Sequence, residues 1–278
     1  MTLRAADALR AAVLTLKPVL GEGAARDARL LLAEAMGVDV GRLTLILPDS
    51  ISPDSLVVFE RFVQQRMNRQ PISQILGKRM FWGREFEVSG DVLDPRPETE
   101  TLIDLALQGG QPNRILELGL GTGCILLTLL CELKSSLGFG VDISDAALAV
   151  AKRNTQALGV EKRARLWRSD WFSTVEGQFD LIVSNPPYIT ADEMSELEPE
   201  VANWEPALAL TPGTDGLGAY RHIAAGLDLA LAPQARALLE IGRDQAGEVC
   251  TIFQAAGFGS LEVHQDLNGF DRVIEVRR

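Results

Sequence analysis

The stretch Arg114-Ile115-Leu116-Glu117-Leu118-Gly119-Leu120-Gly121-Thr122-Gly123 decides how the rest of the chain is read. A short apolar run passes directly into glycines at alternating positions. This predicts a strand over Arg114–Leu118 and a helix after Gly123. Glycines at such a junction let the backbone turn tightly and approach a ligand at the helix N-terminus.

Working outward, the chain after Pro112 alternates short apolar runs with helical stretches, the pattern of a parallel sheet covered on both faces. Further strands are expected over 138–141, Ala164–Arg168, Phe179–Ser184, 236–241, 260–264 and 272–276, giving seven in all. No helix is expected between the last two, so they should close as an antiparallel pair at one edge. The fold class is α/β, with a Rossmann-like sheet.

Before this sheet the period changes twice. Leu9, Val13 and Leu16, then Ala28, Leu31, Leu32 and Ala35, repeat at helical spacing, and Gly37 is a helix stop. Ser52-Pro53 reads as a cap and first helical position ahead of Leu56, Phe59 and Val63. Residues 1–77 therefore form an N-terminal helical domain. Phe81, Trp82, Phe86, Val88 and Val92, punctuated by Gly83 and Ser89-Gly90, predict a β-hairpin linker over 78–96. A helix then starts at Pro97 with Glu98 and Glu100 in its first turn, opening a catalytic domain over 97–278.

The 278-residue chain is 46% hydrophobic and 23% charged, the composition of a soluble globular protein. Its formal net charge of -11 disfavours a phosphate-backbone partner, so direct nucleic-acid binding is not expected. Arg4, Asp7 and Arg10 interrupt any signal-peptide core, and no run reaches the length of a membrane span. A cytoplasmic location is expected. Cys124, Cys131 and Cys250 form no CxxC pair and are read as reduced thiols, the first two on one buried helix face. His222 and His264 are far apart in sequence, and no metal is expected.

Asp142, at the end of the second sheet strand and about 20 residues beyond the glycines, is placed to accept from ribose hydroxyls. The alternative is that it caps the following helix, a role Ser144 already fits. Asp170 and Trp171, after the third strand, offer an acceptor and an aromatic face for an adenine. These features suit a nicotinamide cofactor or S-adenosylmethionine alike, with Cys124 standing where a dinucleotide fingerprint has a third glycine or alanine.

The fourth strand separates them, because it runs into Asn185-Pro186-Pro187-Tyr188 at the edge where open α/β sheets bind ligands. Two prolines fix two φ angles and hold Asn185 extended. Neither has an N–H, so the tetrapeptide offers acceptors, the Asn185 side-chain oxygen and the Pro186 carbonyl, to the two donors of a planar NH₂ group. Such a nitrogen is a weak nucleophile and needs orientation toward an electrophilic methyl. Tyr188 is expected to pack against the planar group. Methylation of an amide or exocyclic amine follows.

With these motifs in order, the sequence resembles class I amino-methyltransferases, and more closely the HemK family of release factor glutamine methyltransferases. The resemblance is carried by Phe81-Trp82-Gly83, Pro95-Arg96-Pro97-Glu98-Thr99-Glu100, Asn185-Pro186-Pro187-Tyr188-Ile189, Glu205-Pro206, Asp215-Gly216-Leu217 and Leu239-Glu240-Ile241-Gly242, and it spans essentially the whole chain. It implies a class I methyltransferase fold, S-adenosylmethionine as cofactor, and class 1 peptide chain release factors as partners, methylated on the Gly-Gly-Gln glutamine. It assigns cofactor contacts to Gly119, Leu120, Gly121, Thr122, Gly123, Asp142, Trp171 and Asn185, to which the reading of the residues adds Asp170. Substrate contacts fall to Asn185, Pro186, Pro187 and Tyr188, with Asn185, Pro186 and Tyr188 carrying catalysis. Asp94 departs from the family pattern, which has an apolar residue there. Arg96 and Glu98 either shape the pocket rim or pair at the helix start. The rival readings are an adenine methyltransferase of nucleic acids and a non-catalytic cofactor-binding regulator.

Overall fold

The computed structural model describes residues 3–278, so the first two residues of the expected helical domain lie outside the described residues. The chain divides into two compact units. One holds the described residues up to Gly77 together with Glu198–Trp204, and the other holds Lys78–Leu197 and Glu205–Arg278.

In the first unit, helices Ala5–Leu20, Ala24–Ala35 and Pro53–Met67 follow the apolar spacing. They bury Leu16, Leu31, Leu32, Leu43 and Phe59 in one core. Ser52 caps the third helix, its side chain accepting from Ser55 N, with Pro53 at the first helical position. Sequence reading did not assign Glu198–Trp204 to this unit. It is held there by Glu200, whose carboxylate takes Arg66 at 3.0 Å and Arg69 at 2.5 Å, while Gln74 donates to the Trp204 carbonyl.

The second unit opens with the hairpin, β1 (Lys78–Phe81) and β2 (Arg84–Glu87), turning at Trp82-Gly83, where both φ angles are positive. It is shorter than the sequence pattern suggested. Val88 and Val92 lie beyond the ladder and are buried against Ala147 and Val150 of the helix Asp145–Ala157. Their apolar spacing therefore reports helix packing, not strand alternation. Phe81 and Phe86 pack with Leu102, Ile103 and Ala106 in the core of this unit.

The main sheet has seven strands: β3 (Arg114–Leu118), β4 (Leu137–Asp142), β5 (Ala164–Arg168), β6 (Phe179–Ser184), β7 (Leu231–Glu240), β8 (Ser260–Gln265) and β9 (Asp271–Arg277). Their spatial order is β5-β4-β3-β6-β7-β9-β8, parallel except for β9, which runs antiparallel to both neighbours. The α/β expectation holds, and the final pair closes antiparallel with β8 at the edge. Apolar side chains cover both faces, Ile115, Leu181 and Leu238 on one and Leu116, Ile182 and Leu239 on the other. The strand order reverses between β3 and β6. The carboxyl ends of these two strands are Leu118 and Ser184, so the glycine run and the Asn-Pro-Pro-Tyr run leave the sheet side by side. Among the described residues no helix is long and apolar enough to cross a membrane.

Candidate active site

The glycine loop is shaped by its own backbone. Gly119 and Gly121 have φ of 69° and 52°, the left-handed region, and a Cβ built on either would project into space free of protein atoms. Leu120 N donates to the Val141 carbonyl, Gly121 N to Asp142 Oδ2, and Asn154 donates to the Thr122 carbonyl. Asp142 Oδ1 accepts from Ser144 N, and Ser144 Oγ caps the helix by accepting from Ala147 N. Asp142 therefore faces the glycine loop, and Ser144 is the cap. A carboxylate has about four acceptor positions, and the two backbone donors leave room for hydroxyl donors. Burial raises the Asp142 carboxyl above its ordinary value, opposed by the Gly121 and Ser144 amides. Behind the loop, Glu117 is buried and accepts from Leu126 N in the first turn of the helix Cys124–Glu132.

The loop residues Gly119 to Thr122, with Glu117, Asp142 and Ser144, line one cavity of about 290 Å³. Of the sequence candidates it brings together Gly119, Leu120, Gly121, Thr122, Asp142, Asp170, Trp171, Asn185 and Pro187. Gly123, Pro186 and Tyr188 are not among its lining residues. Gly123 is the helix cap at φ 78°, Pro186 is buried beneath the turn, and Tyr188 is turned toward Glu240. Trp171, itself at positive φ, stacks on His222 with centroids 6.4 Å apart and planes 14° from parallel. Cys124 is also on the wall, its thiol pushed up chiefly by burial.

Beside the glycine loop, at the end of the adjacent strand, the lining is assembled from distant segments. Asn185 Nδ2 donates to Thr99 Oγ1 at 3.2 Å, Thr99 Oγ1 donates to Glu240 Oε2 at 2.7 Å, and Tyr188 Oη donates to Glu240 Oε1 at 3.4 Å. Tyr220 Oη donates to the Glu240 carbonyl at 2.9 Å, and Gln245 donates to the Tyr188 carbonyl. Burial lifts Glu240 to about 7, opposed by Thr99 and Arg272. Thr99 sits in a single 3₁₀ turn, Pro97–Thr99, that precedes the helix Glu100–Gln108, where sequence reading expected one continuous helix. The roles of Thr99, Glu240, Glu117, Asn154 and His222 were missed. For Glu240 the available signal was an acid directly after the apolar run Ala237-Leu238-Leu239.

At the rim, Arg96 pairs with the buried carboxylate of Glu205 at 2.5 Å. Burial raises Glu205 to about 7, with Arg96 opposing and Asp94 adding to the rise. Asp94 is itself buried and lines the cavity, so this chain sets a carboxyl group where an apolar side chain was expected. Away from the cavity, Glu262, His264 and Glu275 bring possible ligand atoms within 4.8 Å of one another. Arg236 and Arg277 already pair with Glu275, at 3.3 and 2.6 Å, which makes this cluster an ion-pair network.

Residues 7–77 match the PrmC N-terminal domain, and residues 91–200 match the Methyltransferase small domain. Among solved structures, a methyltransferase from Pyrococcus furiosus superposes with a TM-score of 0.54 at 15% identity over 71% of this chain and 90% of that one. The catalytic domain of hMettl16, in complex with MAT2A 3'UTR hairpin 6, gives 0.57 at 14% identity over 69% and 74%. At such identities the likeness is one of fold, that of the class I methyltransferases. The release factor glutamine methyltransferase of Rhodospirillum rubrum is 43% identical over 91% of this chain and 78% of its own length. That of Cereibacter sphaeroides is 54% identical over 99% of both chains. Identity of that level over nearly the whole length of both chains establishes that this chain belongs to the release factor glutamine methyltransferase family.

Proposed function

We propose that this enzyme transfers the methyl group of S-adenosylmethionine to the side-chain amide nitrogen of the glutamine in the Gly-Gly-Gln motif of class 1 peptide chain release factors. The observation that carries the reading is a single cavity lined by the glycine loop, Asp142 and Asn185 together. The lining suits the cofactor. The loop offers space that any Cβ at Gly119 or Gly121 would fill, Asp142 keeps acceptor capacity for ribose hydroxyls, and Trp171 supplies an aromatic plane.

S-adenosylmethionine supplies a methyl group on a positively charged sulfur. The chain's own residues do the rest. Asn185 accepts one N–H of the substrate amide through Oδ1, and the carbonyl of Pro186, which is not itself a lining residue but lies between the lining residues Asn185 and Pro187, is the acceptor proposed for the other, so the nitrogen lone pair is aimed at the methyl carbon. The N–C bond forms as the C–S bond breaks, the pair from that bond staying on sulfur. Methylation leaves the nitrogen acidic, and its proton departs to solvent. No strong base is required. Holding the two reactants in line accounts for roughly 7 to 11 kcal/mol in favourable systems.

Acceptors that recognise a planar amide do not distinguish one exposed glutamine from another, so selectivity must come from contacts elsewhere. None of the described residues of the unit built from residues up to Gly77 and Glu198–Trp204 lines the cavity, and docking of the release factor is the role assigned to it. Intact release factor should therefore be methylated with a kcat/KM at least 10²-fold above that of a short Gly-Gly-Gln peptide, a difference of about 3 kcal/mol. Equal values for the two substrates would refute the docking role. Truncation at residue 77 is a poor test, because it strips Glu200 of Arg66 and Arg69.

A further inference from the structure

Glu240 is 1% exposed and does not line the cavity, yet two segments of the cavity wall converge on its carboxylate. Burying a carboxylate costs several kcal/mol, and a neutral Gln of the same shape would hold the strand end equally well. A reason for the charge lies in the direction it imposes on its neighbours.

An ionised carboxylate only accepts hydrogen bonds. Thr99 has one hydroxyl proton, and at 2.7 Å from Oε2 that proton is committed to Glu240. Only lone pairs of Thr99 Oγ1 remain for the group on its other side, the Asn185 side-chain amide at 3.2 Å. The NH₂ end of that amide satisfies them. A flipped amide would set two acceptors against each other at a buried position, leaving both unpaired at a cost of about 1–3 kcal/mol each. From this donor and acceptor order we infer that Thr99 and Glu240 are positioning residues, which hold the Asn185 amide with its oxygen turned into the cavity.

The same carboxylate takes the Tyr188 hydroxyl on its other oxygen, so both polar ends of the tetrapeptide are registered to one group. Tyr220, bonded to the Glu240 carbonyl, pins the strand end that carries it. The inference rests on the proposed role of Asn185 as acceptor for the substrate amide. It adds that the direction of this acceptor is set by a threonine of the cavity lining and a buried carboxylate behind it. Gln at position 240 would both donate and accept, allowing the Thr99 hydroxyl to point either way and the amide to face either way.

The test compares full-length Thr99→Val, Thr99→Ser and Glu240→Gln with the parent chain. With intact release factor, Thr99→Val lowers kcat by about 10- to 100-fold with KM for the factor within about threefold. Thr99→Ser keeps the hydroxyl and restores kcat to within about threefold of the parent. Glu240→Gln lowers kcat in the same direction as Thr99→Val. Wild-type kcat in Thr99→Val, or Thr99→Ser as slow as Thr99→Val, overturns the inference. A second readout needs no turnover. The Asn185 side-chain NH₂ signal, assigned by its loss in Asn185→Ala, is protected from water exchange in the parent and in Thr99→Ser and unprotected in Thr99→Val. Equal protection in Thr99→Val also overturns it. Failure of the parent to methylate the glutamine contradicts the proposed function instead, and the NH₂ signal still decides the orientation.

Discussion

The two walls of the cavity are built in opposite ways. The glycine-loop wall is local: Gly119 to Thr122 follow β3 directly, and Asp142 ends the adjacent strand, 21 residues beyond the amide it accepts. The tetrapeptide wall is not. Asn185 is 86 residues from Thr99, Thr99 is 141 from Glu240, and Tyr188 is 52 from Glu240. A local wall needs only a turn and a neighbouring strand to exist. The distant wall exists only when β6, β7 and the Pro97–Thr99 turn are all in place, so the acceptor end of the site depends on more of the fold.

The largest expected effect separates the walls by function. Asn185→Ala lowers turnover on intact release factor by on the order of 10² or more, while the affinity for S-adenosylmethionine measured by calorimetry stays within about tenfold. Near-normal turnover would break the division. On the other wall, Asp142→Ala weakens cofactor affinity by about 1.5 to 3 kcal/mol, the scale of a hydrogen bond to a charged group. Unchanged affinity would reduce Asp142 to a tether for Gly121 and Ser144. Gly121→Ala carries a left-handed φ of 52° into a residue with a Cβ, which meets no protein atom. The strain of about 1–2 kcal/mol predicts a folded state less stable by that amount, read as a lower melting temperature.

The smallest effect is one of pH. Burial raises Glu240 from 4.5 to about 7 in the folded chain, facing Thr99, Arg272, Glu98, Tyr188 and Tyr220. Between those values the folded state holds a proton that the unfolded state has lost. The stabilisation from this proton is complete below pH 4.5 and lost as pH rises through 7. The melting temperature of the parent relative to Glu240→Gln should therefore fall as pH rises across this window. A constant difference would show that Glu240 does not titrate there. Ionisation through the same window commits the Thr99 proton, so kcat should rise with it in the parent and not in Glu240→Gln.

The contrast also explains what the amino-acid sequence revealed. β3, β5 and β6 fall at their expected residues because each is a short apolar run bounded by turn residues. β7 begins at Leu231 instead of residue 236, because Pro233 and Gln234, the latter at φ 63°, read as a turn although the strand continues through an irregularity in its pairing. The glycine loop, Asp142 and Asn185 were legible because their chemistry is contiguous or strand-terminal. Thr99 and Glu240 stood in recognisable segments, but nothing local indicates that a threonine in one turn and a glutamate on a distant strand share a proton. Long-range hydrogen bonds leave no periodic signature. The assignment of Glu198–Trp204 to the helical unit was hidden for the same reason, since Arg66 and Arg69 meet Glu200 across more than a hundred residues.

The central claim is that this cavity methylates one particular amide. Purified full-length chain, S-adenosylmethionine and unmethylated class 1 release factor are incubated, and the factor is mapped by peptide mass spectrometry. The expected result is a single methyl group on the side-chain amide of the Gly-Gly-Gln glutamine, absent with Asn185→Ala. A methyl group on any other residue, or none on that glutamine under conditions where the cofactor binds, would contradict the account.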